Sequence, residues 1–335
     1  MTWHPDLYRH WYAVARTGEV GERPLAVTLL DTHIALARAG DGWIALEDRC
    51  PHRHVPLSAG CVADGQLRCP YHGWSFDREG RLRHLPGLPA HAPLPGVKVR
   101  SFPVVECDGF LWVRPGTEGE PAPPELVRGT DPATRRFQWR TTWKAHVLDA
   151  MENFLDPMHT HFVHPGLVRV ESRRVAARAR FQATSEGFTV DYRGTPKQSG
   201  LLYRLFESER TMERAWFAAP GSARLEYRYA NGSRILFDLH FSPRDAGSTE
   251  VFVGLHVEGR RAPAWAIRLL AWPLLKKVND QDVRMLELQA GNLARFGRRR
   301  GASTPIDVVR PALERFWSEG RLPAPGECFE VEMML

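Results

Sequence analysis

Two short segments of the chain each place a cysteine close to a histidine, and this duplicated pairing constrains the fold more than any other feature. The first segment is Cys50-Pro51-His52 and the second is Cys69-Pro70-Tyr71-His72. Thiolates and imidazoles are metal ligands, and the proline beside each cysteine favours a tight turn. The pattern therefore predicts that two turns lie side by side and supply four ligands to one site.

A site with these ligands could hold zinc or an iron–sulfur cluster, and the order of the ligands favours the cluster. Zinc sites with two cysteines and two histidines usually group like with like along the chain. Here each segment supplies one thiolate and one imidazole, which is the ligand set of a Rieske 2Fe–2S cluster. The other cysteines have no adjacent histidine and are interpreted as small hydrophobic residues: Cys61, Cys107 and Cys328.

The length and charge of the chain exclude several classes of protein. A chain of 335 residues is long enough for about two domains with cores of their own. The formal net charge of +6 is spread along the sequence, which argues against a nucleic-acid partner. The N-terminal residues show no secretory signal, and the apolar run at residues 263–275 is too short to cross a bilayer. We therefore expect a cytoplasmic protein with no membrane partner.

Strand-forming segments dominate the first third of the chain. Up to residue 115 they alternate with turn residues such as Asp64-Gly65 and Asp108-Gly109. A stretch rich in Pro, Gly and Glu follows. We therefore predict an all-β domain at residues 1–115 and a linker at residues 116–125.

The remainder, residues 126–335, mixes helical and strand patterns. Apolar residues have helical spacing at residues 143–163, and Asn231-Gly232 marks a hairpin between two strands. A long helix, interrupted near Pro273, is expected from about residue 264 to residue 293. This part is predicted to be an α+β domain with helices packed on an antiparallel sheet.

A stripe of polar residues lies in the first helix of this second domain. Asp149, Glu152, Asn153 and Asp156 are spaced by three or four residues, so they share one face of the helix with large apolar residues on the others. This pattern indicates that the acids are buried. Buried carboxylates require a cation or a metal ion nearby.

Three histidines follow this stripe: His159, His161 and His164. His159 and His164 are separated by about 140° around an ideal helix, so both could bind one metal only if the helix ended or became irregular between them. Pro157 gives a reason for such an irregularity, because it removes one amide hydrogen bond. The chemistry of the residues alone leaves the choice among the three histidines open.

The cysteine–histidine segments resemble those of a known family. Cys50-Pro51-His52-Arg53-His54 and Cys69-Pro70-Tyr71-His72-Gly73-Trp74 are similar to the two cluster-binding loops of Rieske proteins in the aromatic-ring-hydroxylating oxygenases. The resemblance implies a Rieske 2Fe–2S cluster and implies that His54 is a loop residue and not a ligand. The implied cluster ligands are Cys50, His52, Cys69 and His72.

The pattern Asn153-x-x-Asp156-x-x-His159-x4-His164 resembles the mononuclear-iron motif of the same family. The resemblance implies that His159 and His164 bind Fe(II) and that Asn153 acts beside the iron. It leaves His161 outside the ligand set, with contact to substrate or water as its alternative role.

Iron that activates oxygen without haem usually has a carboxylate as its third protein ligand. The C-terminal helix offers Asn279-Asp280-Gln281-Asp282, followed by an apolar stretch and Glu287-Leu288-Gln289. In the single-component-type enzymes of the family the ligand aspartate lies five residues before such a glutamate, which implies Asp282. Asp280 is the alternative ligand, and an exposed acidic turn that caps the helix is the non-functional alternative.

The resemblance covers the whole chain and implies a homotrimer in which the cluster of one subunit lies near the iron of the next. Asp156 would then hydrogen-bond to His159 and, across the interface, to the cluster histidine His72, and so carry the electron path. The chain has no Gly-x-Gly-x-x-Gly phosphate-binding pattern. Electrons are therefore expected from a separate NAD(P)H-dependent reductase, with or without a ferredoxin.

The implied activity is that of a Rieske oxygenase in the branch of vanillate demethylase and dicamba monooxygenase. Such an enzyme uses O2 and external electrons to hydroxylate or oxidatively demethylate a small aromatic or heterocyclic substrate, as in aromatic catabolism. The implied fold is α+β, with an all-β Rieske domain followed by a helix-grip-like catalytic domain whose pocket candidates are Phe237, Trp216 and Leu239. The alternatives are a cis-dihydroxylating dioxygenase α-subunit, a Rieske electron-transfer protein with a non-catalytic ligand-binding domain, and a zinc-stabilised binding module.

Overall fold

The chain folds as two compact units. The computed structural model describes residues 3–124, 135–194, 197–259, 265, 267–297 and 301–335. The N-terminal unit contains Pro5–Arg128 and Ser242–Asp245, and the C-terminal unit contains Met1–His4, Gly129–Phe241 and Ala246–Leu335. The predicted linker ends outside the described residues, and its bounds, like those of the two predicted domains, stay predictions.

The N-terminal unit is built from short antiparallel strands, which confirms the predicted all-β class. Its strands are β1 (Tyr12–Arg16), β2 (Leu25–Leu29), β3 (Thr32–Ala39), β4 (Gly42–Glu47), β5 (Cys61–Ala63), β6 (Gln66–Arg68), β7 (Ser75–Phe76), β8 (Leu82–His84), β9 (Val104–Cys107) and β10 (Phe110–Val113). They form three sheets with the orders β1-β10-β9, β2-β3-β4 and β5-β6-β7-β8. Single 3-10 turns lie at Pro5–Arg9, Thr17–Glu19 and Leu57–Ala59.

Two-residue turns set the register of several of these strands. Asp64-Gly65 joins β5 to β6 and Asp108-Gly109 joins β9 to β10, and the φ angles of these residues lie between 54° and 77°. Positive φ at both central positions is required by the type I′ turn, whose twist matches that of paired strands. The turns predicted at these two dipeptides are therefore confirmed.

The C-terminal unit contains a large antiparallel sheet of eight described strands. They are β11 (Arg135–Trp143), β12 (Ala176–Ala183), β13 (Gly187–Arg193), β14 (Arg210–Ala218), β15 (Ser222–Tyr229), β16 (Arg234–Asp245), β17 (Ser248–Glu258) and β18 (Cys328–Met334). The order in the sheet is β11-β17-β16-β15-β14-β13-β12-β18. The hairpin predicted at Asn231-Gly232 joins β15 to β16, and Gly232 has φ 79° there.

Helices accompany this sheet, which confirms the predicted α+β class. The described helices are α1 (Val147–Leu155), α2 (Thr160–Val163), α3 (Leu201–Phe206), α4 (Trp272–Phe296) and α5 (Arg310–Glu319), with a 3-10 turn at Glu171–Arg173. Helix α1 contacts both α4 and α5. The ring of Phe217 on β14 packs against Phe316 of α5, with ring centroids 5.8 Å apart, so this helix covers one face of the sheet.

Helix α4 ends at Phe296, three residues later than the sequence predicted. Its first turn contains Pro273. Backbone N–H groups of the first turn have no acceptor within the helix, so a proline there costs no helical hydrogen bond. Ile267–Ala271 forms a π-helical turn immediately before it, and residue 264, the predicted start, lies outside the described residues. No helix in the described part of the chain is both long enough and apolar enough to cross a membrane.

Candidate functional site

The first cysteine–histidine loop follows β4 and closes on itself by backbone hydrogen bonds. The amide of Cys50 donates to the carbonyl of Val55 (2.9 Å), and the amide of His54 donates to the carbonyl of Cys50 (2.8 Å). His54 has φ 61°, which reverses the chain direction at this point. The Asp48 carboxylate accepts hydrogen bonds from the amide and the hydroxyl of Ser58 at 2.7 and 2.6 Å. His54 thus occupies the turn of the loop, in agreement with its predicted role.

The second loop repeats this geometry between β6 and β7. The amide of Cys69 donates to the carbonyl of Trp74 (2.8 Å), and the amide of Gly73 donates to the carbonyl of Cys69 (3.2 Å). Gly73 has φ 72°, and a Cβ atom there would lie 2.8 Å from Cγ of Pro86. Glycine is therefore required at this turn both by the backbone conformation and by the close approach of the proline.

The four residues predicted to hold the cluster lie together in the N-terminal unit. Cys50 and Cys69 are only 1% and 3% exposed and share one apolar core. Burial raises the pKa of the Cys50 thiol, and its direct interaction with Cys69 raises the pKa further. The rings of His52 and His72 are 4.5 Å apart, and Nδ1 of His52 is buried with no hydrogen-bond partner among the described residues. A buried imidazole nitrogen without a donor or acceptor fits a role as metal ligand.

Aromatic rings cover both histidines of these loops. The indole of Trp74 stacks on His52 with ring centroids 4.6 Å apart and planes only 3° from parallel. The ring of Tyr71 lies 3.9 Å from that of His72, and the Tyr71 side chain is 62% exposed. His52 is therefore enclosed on one face by Trp74, whereas His72 lies at the surface.

The spacing of the four side chains argues against a single metal ion. The ligands of a tetrahedral zinc ion lie about 3.5 Å from one another. In the described residues, one group of three or more His, Cys, Asp or Glu side chains has all its ligand atoms within 4.8 Å, and the group is not in these loops. The loop residues therefore lack the close spacing of a single-ion site, which argues against the zinc alternative.

The acidic stripe on α1 is paired with a positively charged residue of α5. The Arg310 guanidinium lies 3.0 Å from the carboxylate of Asp149, 2.5 Å from that of Glu152 and 2.7 Å from that of Glu314. Burial raises the pKa of Glu152, and the attraction of Arg310 offsets only part of this rise. The predicted need of the buried acids for a positive partner is confirmed for Asp149 and Glu152, and the partner is an arginine.

The chain leaves the α1 helix before the histidines, as the position of Pro157 suggested. Helix α1 ends at Leu155, and His159 and His164 flank the four-residue helix α2. The backbone carbonyl of Asp156 accepts a hydrogen bond from Nδ1 of His159 (2.6 Å), and its carboxylate lies 3.9 Å from the same nitrogen. Burial raises the pKa of the Asp156 carboxyl group. This break in the helix allows the two imidazoles to approach each other, with ring centroids 5.3 Å apart.

Helix α4 brings a carboxylate to the same point. Oδ1 of Asp282 lies 3.5 Å from Nε2 of His159 and 3.0 Å from Nε2 of His164. Nε2 of His164 is buried and makes no hydrogen bond with acceptable geometry. These three side chains form the one close ligand group in the described residues. Two imidazole nitrogens and one carboxylate oxygen are the donor set that oxygen-activating iron prefers.

Neighbouring groups orient each of the three side chains. The amide oxygen of Gln281 lies 2.9 Å from Nδ1 of His164, and the amide nitrogen of Asn153 donates to Oδ1 of Asp282 (3.3 Å). Because the Nδ1 atoms of His159 and His164 both face acceptor oxygens, their Nε2 atoms are left to bind a metal. Nothing in the sequence distinguished Gln281, which lies between the candidate ligands Asp280 and Asp282.

The two alternative candidates lie elsewhere. Asp280 is exposed and pairs with Lys276 of the preceding turn at 2.7 Å. It is two residues from Asp282, about 200° around the helix, and therefore faces away from the histidines. His161 is 2% exposed and does not line the cavity that lies beside His159, His164 and Asp282.

A cavity of about 510 Å3 lies beside the three converging side chains. Its walls are mainly apolar and come from strands β15 to β17 and from helix α4, including Leu225, Phe237, Leu255, Leu275 and Val278. Of the three predicted pocket residues, Phe237 lines the cavity, whereas Trp216 and Leu239 do not. Trp216 pairs with Arg224 of β15, so its side chain lies on the face of the sheet opposite to that of the cavity-lining Leu225. Leu239 lies on the same face of β16 as Phe237 but two residues further along the strand.

Two protein-family models match the chain, one in each half. The model of the Rieske 2Fe-2S domain matches residues 10–103. The model of the vanillate O-demethylase oxygenase C-terminal domain matches residues 143–315, more than half of the chain. A Rieske 2Fe–2S cluster and a mononuclear iron are therefore the cofactors of this chain.

The curated relatives are oxygenases and demethylases. The dicamba O-demethylase oxygenase component of Stenotrophomonas maltophilia is 40% identical over 158 residues, which cover 46% of this chain and 46% of that protein. Methylxanthine N1-demethylase NdmA of Pseudomonas putida is 36% identical over 167 residues, which cover 49% of this chain and 47% of that protein. The chain thus spans about half the length of the curated relatives it matches.

The solved structures extend the similarity over nearly the whole chain. The crystal structure of dicamba monooxygenase bound to dicamba superimposes with a TM-score of 0.80 and 26% sequence identity, covering 93% of this chain and 97% of that chain. The order of domains, the large sheet and the helices are therefore shared. With the two domain matches, this similarity shows that the chain belongs to the Rieske non-haem iron oxygenases and has a catalytic domain of the vanillate O-demethylase type.

Proposed function

We propose that this protein is the oxygenase component of a multi-component monooxygenase that hydroxylates or oxidatively demethylates a small aromatic or heterocyclic molecule. The observation that carries the proposal is the convergence of His159, His164 and Asp282 beside a largely apolar cavity. When bound, the cluster supplies single electrons and the iron uses them with O2 to oxidise a C–H bond. The names of the relatives, dicamba O-demethylase and methylxanthine N1-demethylase, support this reaction class.

The N-terminal loops supply the electron entry site in this proposal. The thiolates of Cys50 and Cys69 hold one iron of the cluster, and the imidazoles of His52 and His72 hold the other. The matching hydrogen-bond patterns of the two loops support this assignment, because they present one cysteine and one histidine from each turn. The partnerless Nδ1 of His52 supports it independently.

The C-terminal unit supplies the reaction site. His159, His164 and Asp282 hold the mononuclear iron, and Asn153 fixes the orientation of the Asp282 carboxylate through its hydrogen bond. The apolar walls bind the substrate and exclude bulk water from it. Three protein ligands would leave part of the coordination shell of the iron open, and all three of these side chains line the cavity.

Asp156 serves as the positioning residue between the two centres in this proposal. Its carbonyl accepts a hydrogen bond from Nδ1 of His159, and its partly buried carboxylate lies close to the same ring. In a homotrimer the carboxylate would accept a hydrogen bond from His72 of the partner subunit and join the cluster to the iron. The words "oxygenase component" in a relative's name support a separate electron donor, an NAD(P)H-dependent reductase with or without a ferredoxin.

Metal analysis and absorption spectroscopy of the wild type beside His159→Ala test the proposal. The wild type, prepared without oxygen, should contain about three irons per chain, two of them in the cluster. His159→Ala should lose about one iron and keep the cluster spectrum. His91→Ala, at an exposed histidine of the N-terminal unit, should keep all the iron and is the matched control. An unchanged iron content in His159→Ala would remove the proposed site.

Product analysis then separates the reaction classes. With a reductase, NADH and an aryl methyl ether, demethylation should release formaldehyde in step with NADH consumption. Formation of a cis-diol without formaldehyde would favour the dihydroxylating alternative. A protein that binds ligands and passes electrons but consumes no O2 would be the electron-transfer alternative.

A further inference from the structure

Four charged side chains beside the cavity form an alternating chain. Nη2 of Arg169 lies 3.3 Å from Oε1 of Glu213, and Oε2 of Glu213 lies 2.8 Å from Nη1 of Arg210. Nε of Arg210 lies 3.0 Å from Oε2 of Glu207, and its Nη2 donates to the other oxygen of the same carboxylate at 3.4 Å. All four side chains are at most 14% exposed. We name this set the ion chain.

The ion chain is electrically balanced. It contains two arginines and two glutamates, so the charges cancel without a further partner. Arg210 and Glu207 line the cavity, and Arg210 is the only arginine or lysine among the described residues that do so. Apart from the proposed iron, the positive charge that the described cavity walls offer to an anionic substrate is therefore a guanidinium that two carboxylates already neutralise.

The faces of the Arg210 guanidinium are covered as well as its edges. Its central carbon lies 3.9 Å from the centre of the Tyr203 ring and 3.7 Å from that of the Tyr227 ring. Both rings also line the cavity. Two aromatic faces thus enclose this cation, and two carboxylates accept hydrogen bonds from three of its five N–H groups, so little of its charge is available to a ligand.

We infer that the substrate of this site is an uncharged, largely apolar molecule and that the site rejects analogues with a carboxylate. The inference rests on the proposed function and adds the substrate class to it. A carboxylate placed on Arg210 would compete with Glu207 and Glu213 for the guanidinium, and its binding would weaken at least one of these buried ion pairs. When the reacting group of the substrate lies at the iron site, a carboxylate elsewhere on the described cavity walls would lie mainly against apolar side chains.

Matched pairs of ligands test the inference on the iron-loaded wild type under anaerobic conditions. One pair is 4-methoxyacetophenone and 4-methoxybenzoate, and a larger pair is 2-acetyl-6-methoxynaphthalene and 6-methoxy-2-naphthoate. The members of each pair are close in size and share the methyl ether but differ in charge. In titration calorimetry at pH 7 the ketone of at least one pair should bind, and the corresponding acid should bind at least about 100-fold more weakly.

An acid that binds as tightly as its ketone would overturn the inference, as would the failure of both ketones to bind. Turnover separates this result from the proposed function. If the acids are demethylated and the ketones are not, the oxygenase function stands and the inference is wrong. If the ketones bind selectively but no ligand is oxidised, the substrate class stands and the proposed function is wrong.

Glu207→Gln tests the role of the ion chain directly. This variant removes one of the charges that neutralise Arg210, so the preference for ketone over acid should fall by about 10-fold. Glu209→Gln is the control, because Glu209 is exposed, lies two residues away and does not line the cavity. It should keep the preference of the wild type. Equal preferences in the two variants would show that Arg210 does not set the selectivity, and the inference would fall.

Discussion

The amide oxygen of Gln281 lies 2.9 Å from Nδ1 of His164, across a separation of 117 residues in the chain. The amide oxygen can only accept a hydrogen bond, so the contact selects the tautomer of His164 that carries its hydrogen on Nδ1. The lone pair of Nε2 then points toward the metal site. Helix α4 thus contributes the adjacent ligand Asp282 and also orients the histidine that follows helix α2.

Replacement of Gln281 should weaken metal binding without touching a ligand. Gln281→Leu removes the acceptor for Nδ1 of His164, and Fe(II) affinity should fall by about 10- to 100-fold. Competition with a chromophoric chelator measures this affinity, and the cluster absorption should stay unchanged. Gln289→Leu, at an exposed position of the same helix, should bind iron like the wild type. Equal affinities for the two variants would contradict the orienting role.

The two aspartates of α4 should behave differently when their charge is removed. Asp282→Asn keeps the size of the side chain but removes a negative ligand, so the mononuclear iron should be lost during gel filtration with a chelator. Asp280→Asn breaks only the exposed pair with Lys276 and should retain the iron and stay within about 0.5 kcal/mol of wild-type stability. Iron retention in Asp282→Asn together with loss in Asp280→Asn would reverse the assignment.

The indole stacked on His52 should lower the potential of the cluster. The negative face of the ring stabilises the positive charge that the histidine side of the oxidised cluster carries. Trp74→Ala should therefore raise the midpoint potential by roughly 20–40 mV, as measured by spectroelectrochemistry. Trp74→Phe keeps an aromatic face and should restore most of the wild-type value. A lower potential in the alanine variant would contradict this account.

Acid should destabilise the C-terminal sheet through His240. Burial lowers the pKa of this histidine to about 4, and its Nδ1 lies 3.0 Å from the hydroxyl of Ser222. In the unfolded chain this histidine has an ordinary pKa near 6.5 and binds a proton at pH values where the folded chain does not. The free energy of unfolding therefore falls as the pH decreases from about 6.5 toward 4. His240 alone should cost about 2 kcal/mol between pH 7 and pH 5.

Urea unfolding at the two pH values measures this contribution. His240→Gln cannot take up the proton, so its loss of stability between pH 7 and pH 5 should be smaller than that of the wild type by about 2 kcal/mol. The exposed residue His91 supplies the control, since His91→Gln should lose as much as the wild type. The same loss in all three proteins would show that His240 does not control the acid response.

Local patterns in the sequence predicted local geometry. The prolines and histidines of the two loops indicated paired turns, and the structure shows two loops with the same backbone hydrogen bonds. The position of Pro157 suggested that the α1 helix stops before His159, and it does. These features depend on residues a few positions apart, so their spacing in the sequence is enough to define them.

Contacts between distant segments could not be predicted in this way. The spacing on α1 indicated that its acids need a cation, but Arg310 lies more than 150 residues further along the chain. The roles of Arg210 and Gln281 could not be predicted either, because they depend on which distant residues pack against these two side chains. The choice of Asp282 over Asp280 came from a family resemblance, and the structure brings Asp282 to the histidines because that face of α4 turns inward.

Leu275, Val278 and Asp282 are spaced by three and four residues along α4, so they form one stripe facing the cavity. A bulkier side chain at Leu275 or Val278 would push the helix outward and carry a metal ligand with it. Larger changes in substrate size can be accommodated on β15 to β17, which contribute no iron ligand. Substitutions that adapt the cavity to another ligand would therefore leave the iron ligands in place on the strands, whereas on α4 they would also disturb Asp282.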